Sequence, residues 1–233
     1  MDYRSRHVVV TGGTGALGTA VVAALVGAGA QVHVPCINTA EAERFAFRDH
    51  SGVKLLTVSN LADEAEVARL YDSVPELWAS IHLAGGFAMA AVADTKKADL
   101  ALQLETNLVT TFLCCRSAAK VIARTRNGGR IVNTGARPGL EWRSGAGMAA
   151  YTASKAAVLA FTGAFAEELA KSDILVNAVV PSIMDTPGNR AAMPGADHAS
   201  WPKVKDVAAT ILFLASPENR VTRGAMVPVY GKS

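Results

Sequence analysis

Short apolar runs and longer helical patterns alternate along the chain. Runs rich in Val, Ile and Leu predict buried strands at residues 7–10, 31–34, 53–58, 80–83, 130–133 and 174–179. Helical periodicity between them predicts helices at 20–26, 62–73, 100–124, 149–170 and 204–215. Such a series predicts an α/β fold with a parallel sheet and helices on both faces, and right-handed crossovers make it doubly wound.

A glycine-rich turn joins the first strand to the first helix. Its glycines permit a sharp turn and a close backbone approach to a ligand, while the helix start offers free N–H groups to an anion. Strand, glycine turn and helix in this order favour a Rossmann-type dinucleotide site over a plain structural turn. The predicted pyrophosphate-binding residues are Gly12, Thr14, Gly15, Ala16, Leu17 and Gly18.

Tyr151 and Lys155 lie four residues apart in a predicted helix, where this spacing places the two side chains next to each other. An adjacent ammonium favours the ionised phenol and moves its pKa toward neutral pH, as an acid–base group requires. Such pairs are common in ordinary amphipathic helices, so this pair indicates an active site only because the same chain also contains the dinucleotide loop. Together they predict proton transfer by Tyr151 in a redox enzyme.

The length of 233 residues fits one α/β domain spanning 1–233. Ligands of such a sheet bind at the carboxyl ends of its strands, where Gly12, Gly85, Thr134 and Pro181 fall. Residues 182–202 follow one of these ends, are rich in Pro and Gly, and show little periodicity. We expect them to form a substrate lid rather than a disordered loop.

Composition narrows the possible functions. The chain is 50% apolar and 18% charged, and its net charge of +3 is spread without a basic cluster, so nucleic acid is not an expected partner. No apolar run reaches the length of a membrane span, and residues 1–6 lack the apolar segment of a signal peptide, so we expect a cytoplasmic protein without membrane partners. Cys36, Cys114 and Cys115 suit reduced thiols, and the histidines show no metal-ligand spacing.

Several motifs occur in the order typical of short-chain dehydrogenases/reductases, and the chain resembles that family over nearly its whole length. They are Thr11-Gly12 with the glycine loop, Leu83-Ala84-Gly85-Gly86, Asn107 in Thr-Asn-Leu, Tyr151-x-x-x-Lys155, Asn177 through Pro181 to Thr186, and a last-strand pattern at 224–231.

The resemblance implies roles for three residues. Tyr151 transfers the proton, Lys155 lowers the pKa of Tyr151 and holds the nicotinamide ribose, and Asn107 positions a water relay. The resemblance also implies cofactor contacts from Asn60, Leu61, Ala84, Gly85, Gly86, Lys155, Pro181, Ser182, Ile183 and Thr186. Members of the family commonly pair through helices corresponding to 100–124 and 149–170, so a homodimer or homotetramer is expected.

One residue departs from the family pattern. The family has a serine after the fifth strand that binds the reacting carbonyl oxygen, but Ala136 stands there. Loss of such a donor typically slows a reaction by ~10²–10³-fold, so an ordinary ketone reductase with this gap is expected to be poor. Thr134 and Ser144 are nearby in sequence but do not align with the serine.

The same gap occurs in the dihydropteridine reductase branch, which the chain resembles more narrowly. The matching segments are residues 12–18, Ala84-Gly85-Gly86, Gly135-Ala136-Arg137, and the stretch from Asp185-Thr186-Pro187 to Trp201. A quinonoid dihydropterin accepts hydride without forming a localised alkoxide, so we hypothesise that it needs no serine. Arg137 and Arg190 fall beside the predicted site, as substrate contacts or as solvated surface groups.

The choice between NAD and NADP stays open. Dihydropteridine reductase carries an acidic residue at the end of its second strand for the adenosine ribose, whereas Cys36 stands there. No Lys or Arg follows immediately or lies in the glycine loop, so a 2′-phosphate has no cation. We favour NAD slightly, with Asn38 or Thr39 within reach of the ribose.

These features predict hydride transfer between NAD(P) and a small carbonyl-like or conjugated ring substrate. Two alternatives stay open. One is a reductase of another carbonyl in which the serine has been replaced, and the other is a non-catalytic NAD(P)-binding redox sensor.

Overall fold

Seven parallel strands form the centre of the structure, a computed structural model that describes residues 1–233. The strands are β1 His7–Thr11, β2 Gln31–Cys36, β3 Val53–Thr57, β4 Leu77–His82, β5 Gly129–Thr134, β6 Ile174–Pro181 and β7 Met226–Val229. Their order in the sheet is β3-β2-β1-β4-β5-β6-β7. The strand order reverses direction between β1 and β4, which places the ligand crevice at the carboxyl ends of these two strands. The predicted doubly wound Rossmann fold is confirmed.

Helices cover both faces of this sheet. They are α1 Ala16–Gly27, α2 Thr39–Arg44, α3 Glu64–Asp72, α4 Lys97–Leu104, α5 Thr110–Thr125, α6 Arg137–Leu140, α7 Ala149–Glu168, α8 Pro187–Ala192 and α9 Val204–Ala215. Side chains alternate along β1, so that Val8 and Val10 join the core under α1 and α9 while Val9 joins the core under α3 and α5. Two apolar cores therefore hold the central strands rigidly and fix the position of their carboxyl ends.

The helix predicted at 100–124 is two helices joined by a π-helical turn, Glu105–Val109, and the prediction of one continuous helix is wrong. The Thr110 and Thr111 hydroxyls donate to the carbonyls of Thr106 and Asn107 at 2.7 Å. The π-helical turn is wider than an α-helical one and directs the side chain of Asn107 into the protein, where it is fully buried. Hydrophobic periodicity does not detect such a turn, because the apolar face continues on both sides of it.

Two short helices, α2 and α6, were absent from the sequence-based prediction, while α8 lies in the 182–202 segment, where a long loop or a short-helix insertion was expected. Of these, α2 has a recognisable start, since the side chain of Asn38 accepts a hydrogen bond of 2.8 Å from the Glu41 amide. An Asn followed three residues later by Glu is a typical N-cap pattern. The helix is short, and its role becomes clear only from where it places Glu41.

Polar side chains lie buried between the sheet and α5. His82 and Cys115 both contact Asn133, at 2.8 and 3.2 Å, and Tyr71 contacts His82 at 3.1 Å. All three cysteines are free and buried, and no group of three or more His, Cys, Asp and Glu side chains is arranged to hold a metal ion. None of the helices has the length and apolar character needed to cross a membrane.

Candidate active site

The loop between β1 and α1 has the shape of an anion cradle. Gly12 adopts a φ of +66°, and a Cβ there would lie 2.7 Å from the Ala84 nitrogen, so only glycine fits. A Cβ on Gly18 would lie 2.1 Å from the Gly12 oxygen. No side chain caps α1, which begins after Gly15, so the N–H groups of its first turn remain available. The loop therefore fits the pyrophosphate of a dinucleotide.

The segment after β4 brings the glycine loop and α7 together. The Ala84 amide donates to the Thr11 hydroxyl at 3.3 Å. A Cβ on Gly85 would lie 2.6 Å from Asn107 Oδ1 and 3.4 Å from Lys155 Nζ. Gly85 thus keeps open a narrow space between these two predicted site residues.

Asn107 is held on both sides of its amide group. Its Oδ1 accepts from the Gly86 amide at 3.0 Å, and its Nδ2 donates to the Gly86 carbonyl at 3.0 Å and to Ser154 Oγ at 3.1 Å. Ser154 in turn donates to the Tyr151 carbonyl at 2.7 Å. Ser154, which the sequence analysis missed, therefore links Asn107 to the turn of α7 that carries Tyr151. Its position next to Lys155 in sequence was the only signal.

Tyr151 and Lys155 respond to burial in opposite directions. Burial raises the pKa of Tyr151 to about 12 and lowers the pKa of Lys155 to about 8. The Lys155 ammonium donates to the Thr134 carbonyl at 2.9 Å. The expected lowering of the Tyr151 pKa by Lys155 is therefore not found in this structure. At neutral pH Tyr151 keeps its proton, which suits a proton donor.

Ala136 is the N-cap residue of α6 and is buried, and no side chain caps that short helix. The helix packs directly on α7, because a Cβ on Gly139 would lie 2.8 Å from the Lys155 carbonyl carbon. Neither nearby hydroxyl resembles the expected serine: Ser144 is exposed and donates to Glu141 at 2.8 Å, while the buried Thr134 hydroxyl has no hydrogen-bond partner.

The two arginines predicted near the substrate are each paired within the chain. Arg137 Nε donates to Glu141 at 2.7 Å, and its guanidinium lies 4.9 Å from the Tyr230 ring. Arg190 makes two hydrogen bonds to Asp185, at 2.5 and 2.9 Å. A substrate anion would have to compete with these carboxylates.

Residues 182–202 leave the carboxyl end of β6 and return to it. At the base of this segment, the Asp185 carboxylate binds both Arg190 and Lys203, which hold the pKa of Asp185 well below its usual range. The Asp185 amide also donates to the Pro202 carbonyl at 2.9 Å. Trp201 is buried against the His198 ring, at a centroid distance of 4.6 Å, so it packs the segment rather than facing a ligand.

The C-terminal tail fastens the same segment from outside. The Lys232 amide donates to the Ser200 carbonyl at 2.9 Å, and Ser182 Oγ donates to the Tyr230 carbonyl at 3.0 Å. Both ends of the 182–202 segment are therefore tied to the last residues of the chain.

Several predicted cofactor residues occupy the other strand ends. Pro181 ends β6, and the Thr186 hydroxyl caps α8 by accepting from the Asn189 amide at 3.1 Å. Asn60 and Leu61 follow β3, where Leu61 is buried and Asn60 Oδ1 accepts from the Ala62 amide at 2.8 Å. Ser182 and Ile183 continue directly from β6.

Two exposed apolar side chains follow β4, one beside Tyr151 and one beside the loop that leads into α7. Phe87 is 61% exposed and its ring meets the Tyr151 ring edge-on, with centroids 4.9 Å apart. Met89 is also exposed, and its methyl would lie 3.5 Å from a Cβ on Gly147. The site thus offers an aromatic edge and a thioether to a substrate.

A carboxylate reaches the end of β2 from α2. Glu41 accepts a hydrogen bond from the Thr14 hydroxyl of the glycine loop and another of 3.0 Å from the Ile37 amide. Glu41 lies five residues beyond Cys36, outside the positions at which the acidic residue was expected, so its role could not be predicted from the family pattern.

Comparison with known proteins identifies the family. A family model described as short chain dehydrogenase matches residues 6–196. The chain belongs to the short-chain dehydrogenase family. A 3-oxoacyl-(acyl-carrier-protein) reductase of Rattus norvegicus is 30% identical over 181 residues, covering 76% of this chain and 75% of the rat protein. A galactitol 2-dehydrogenase of Rhizobium johnstonii is 32% identical, covering 95% of this chain and 92% of that protein.

A solved structure, ElxO with NADP bound, has the same fold, with a TM-score of 0.87 and 23% identity over 97% of both chains. As a member of the short-chain dehydrogenase family, the chain is an NAD(P)-dependent oxidoreductase. The rat reductase and the galactitol dehydrogenase are named for other substrates, so the narrower resemblance to dihydropteridine reductase stays a prediction.

Proposed function

We propose that the chain is a reductase that passes hydride from a nicotinamide cofactor to a small conjugated ring or carbonyl-like substrate, with a quinonoid dihydropterin as the first candidate. Tyr151 donates the proton, Lys155 holds the nicotinamide ribose and Asn107 positions a water relay. The cofactor supplies the hydride when it is bound. The protein supplies orientation, exclusion of water and the proton path.

The observation that carries the substrate class is the methyl group of Ala136, which is buried at the N-cap of α6, the short helix that packs on α7 through Gly139 next to Lys155. A carbonyl that becomes an alkoxide needs a donor at its oxygen. A conjugated ring spreads the added charge over several atoms, so an apolar residue at this position costs it little.

The surroundings of Tyr151 support a flat substrate. The Phe87 ring is perpendicular to the Tyr151 ring and is 61% exposed, so an aromatic surface is available to a flat substrate beside the proton donor. Arg137 is half-buried and follows Ala136 directly, so a polar group on the substrate can compete for it with Glu141. We propose Arg137 as a substrate contact, and Arg190 as one only if the Asp185 pair opens.

A second candidate is reduction of an ordinary carbonyl with a different donor. It is favoured by the Thr134 hydroxyl, which is buried without a hydrogen-bond partner on the residue whose carbonyl binds Lys155. In that case a Thr134→Val variant loses turnover, whereas it keeps turnover if a conjugated ring is the substrate. The non-catalytic sensor is the remaining alternative.

We also propose a homo-oligomer, paired through the faces of α5 and α7. Phe112 on α5 is 43% exposed and contacts Phe161 on α7, with ring centroids 5.4 Å apart. Light scattering after size exclusion measures the mass, and Phe112→Glu is expected to shift it toward the monomer.

The test compares the wild type with Tyr151→Phe in oxidation of NADH and NADPH, with quinonoid dihydropterin generated in the assay and a ketone panel alongside. We expect turnover with the pterin, and a loss of about 10²–10⁴-fold in the variant with dinucleotide binding retained. Turnover with ketones alone would support the second candidate. Tight dinucleotide binding without any turnover would support the sensor.

A further inference from the structure

The end of β2 carries a thiol where an acidic residue would contact the adenosine ribose, but the Glu41 carboxylate of α2 binds the amide of the next residue, Ile37. Cys36 is the last residue of β2 and is buried. Burial, and next the charge of Glu41, raise the pKa of the Cys36 thiol to about 11. The negative charge of Glu41 is therefore close to the strand end.

The hydrogen bonds of Glu41 bridge the two elements that would enclose an adenosine ribose. One carboxylate oxygen accepts from Thr14 in the glycine loop, and the other accepts at 3.0 Å from the amide of Ile37, the residue after β2. The glycine loop and β2 also touch directly, because a Cβ on Gly13 would lie 2.8 Å from Val34. The N-cap bond from Asn38 to the Glu41 amide fixes the start of α2 at this junction.

No cation neutralises this carboxylate. Glu41 forms no ion pair, although the chain contains nine others. Arg44 is the nearest cation along the helix, and it is exposed and also unpaired. A phosphate dianion beside Glu41 would face a like charge, whereas ribose hydroxyls can donate to it.

We propose that Glu41, presented by α2 rather than by β2, is the residue that makes this protein select NAD(H) over NADP(H), by accepting hydrogen bonds from the adenosine ribose hydroxyls. The inference rests on the proposed function, because it requires a dinucleotide in the cradle of α1. It assigns specificity to a residue five positions beyond the strand end.

The experiment measures dissociation constants for NADH and NADPH by isothermal titration calorimetry, without substrate or turnover. The proteins are the wild type, Glu41→Gln and Glu43→Gln, the last an exposed position on the same helix without an ion-pair contact. We expect the wild type to bind NADH more tightly, Glu41→Gln to narrow the NADH/NADPH ratio by about 10- to 100-fold, and Glu43→Gln to match the wild type.

Two results would overturn the inference alone: tighter binding of NADPH by the wild type, above all if Arg44→Ala abolishes it, or an unchanged ratio in Glu41→Gln. If neither dinucleotide binds the wild type, the inference and the proposed function both fail. Thermal unfolding of each variant without ligand shows that the fold is intact.

Discussion

At the scale of single residues, the site combines two groups whose neutral forms are favoured by burial. Tyr151 has a pKa of about 12 and Lys155 a pKa of about 8, so both a proton donor and a cation are present at neutral pH. A reductase needs this combination, because the donor must be protonated when hydride arrives. The charged form of Lys155 is buried, and this burial lowers the stability of the folded chain.

Replacement of Lys155 by Met is expected to stabilise the fold in a pH-dependent way. The Lys155 pKa falls from its ordinary 10.5 to about 8, so the unfolded chain binds more protons between these values. The buried Lys155 ammonium therefore lowers the free energy of unfolding by about 3 kcal/mol below pH 8, and this loss disappears as the pH rises toward 10.5. Denaturant unfolding at pH 7 should show Lys155→Met as the more stable protein, and at pH 10 the difference should shrink.

The control for this measurement is Lys120→Met, at an exposed position on α5. We expect it to unfold like the wild type at both pH values. An equal gap between Lys155→Met and wild type at pH 7 and pH 10 would contradict the assigned pKa.

An Ala136→Ser variant is expected to gain activity on simple ketones by about 10²-fold, because it restores a donor where a localised alkoxide would form. Activity on a conjugated ring should change little. The new hydroxyl can also cap α6, so unfolding is measured in parallel. No gain on any ketone would count against the link between this position and the substrate class.

At the scale of elements, the 182–202 segment is closed by one carboxylate at its base. Asp185→Asn weakens the contacts to Arg190 and Lys203 while keeping the size of the side chain. Both cations are about half exposed and solvent screens their attraction to Asp185, so we expect the open segment to become only a few fold more populated.

Limited proteolysis within 186–200 and the KM for substrate measure this opening. The rate of cleavage within 186–200 and the KM are both expected to rise by a few fold in Asp185→Asn. Asp2→Asn breaks an exposed ion pair with Arg4 near the N-terminus and serves as the control. Equal cleavage rates in the wild type and both variants would show that Asp185 does not hold the segment closed.

The elements that could be predicted are those with long apolar patterns. Strands β1 to β6 and helices α1, α3, α7 and α9 were predicted from apolar patterns, with shifts of a few residues at their ends, whereas β7 was predicted only from the family resemblance. The π-helical turn at Asn107 could not be predicted, because the Asn107 side chain that it turns inward bonds to Gly86, a residue 21 positions away. The short helix α2 has few apolar residues, and its N-cap pattern is the only feature of the sequence that indicates it.

At the scale of the molecule, the candidate site is assembled at the carboxyl edge of the sheet from segments far apart in sequence. Motifs identified Tyr151, Lys155 and the glycine loop, because each is a local pattern. Glu41 and Ser154 gained a role only from the folded chain, which brings Glu41 to Thr14 and Ser154 to Asn107. The spacing of residues along the sequence does not predict which of these side chains come within hydrogen-bond distance.

Binding of a dinucleotide is therefore expected to stabilise the whole chain, since its contacts extend over several elements. NADH at 100 times its dissociation constant should add about 2.7 kcal/mol and raise Tm by roughly 5–10 °C for a chain of this size. Thermal scans over a series of NADH concentrations measure it. A Tm independent of concentration would contradict binding to the folded state.

The two ends of the chain lie at opposite edges of the sheet. Residues before β1 are at the amino edge, where the Met1 amino group pairs with Glu218, while Lys232 and Ser182 join the tail to the segment beside the site. A purification tag or fluorescent protein fused after Ser233 would lie against the 182–202 segment, and we expect it to lower turnover. The same addition at Met1 would leave the reaction untouched, so surface immobilisation for kinetic work belongs at the N-terminus.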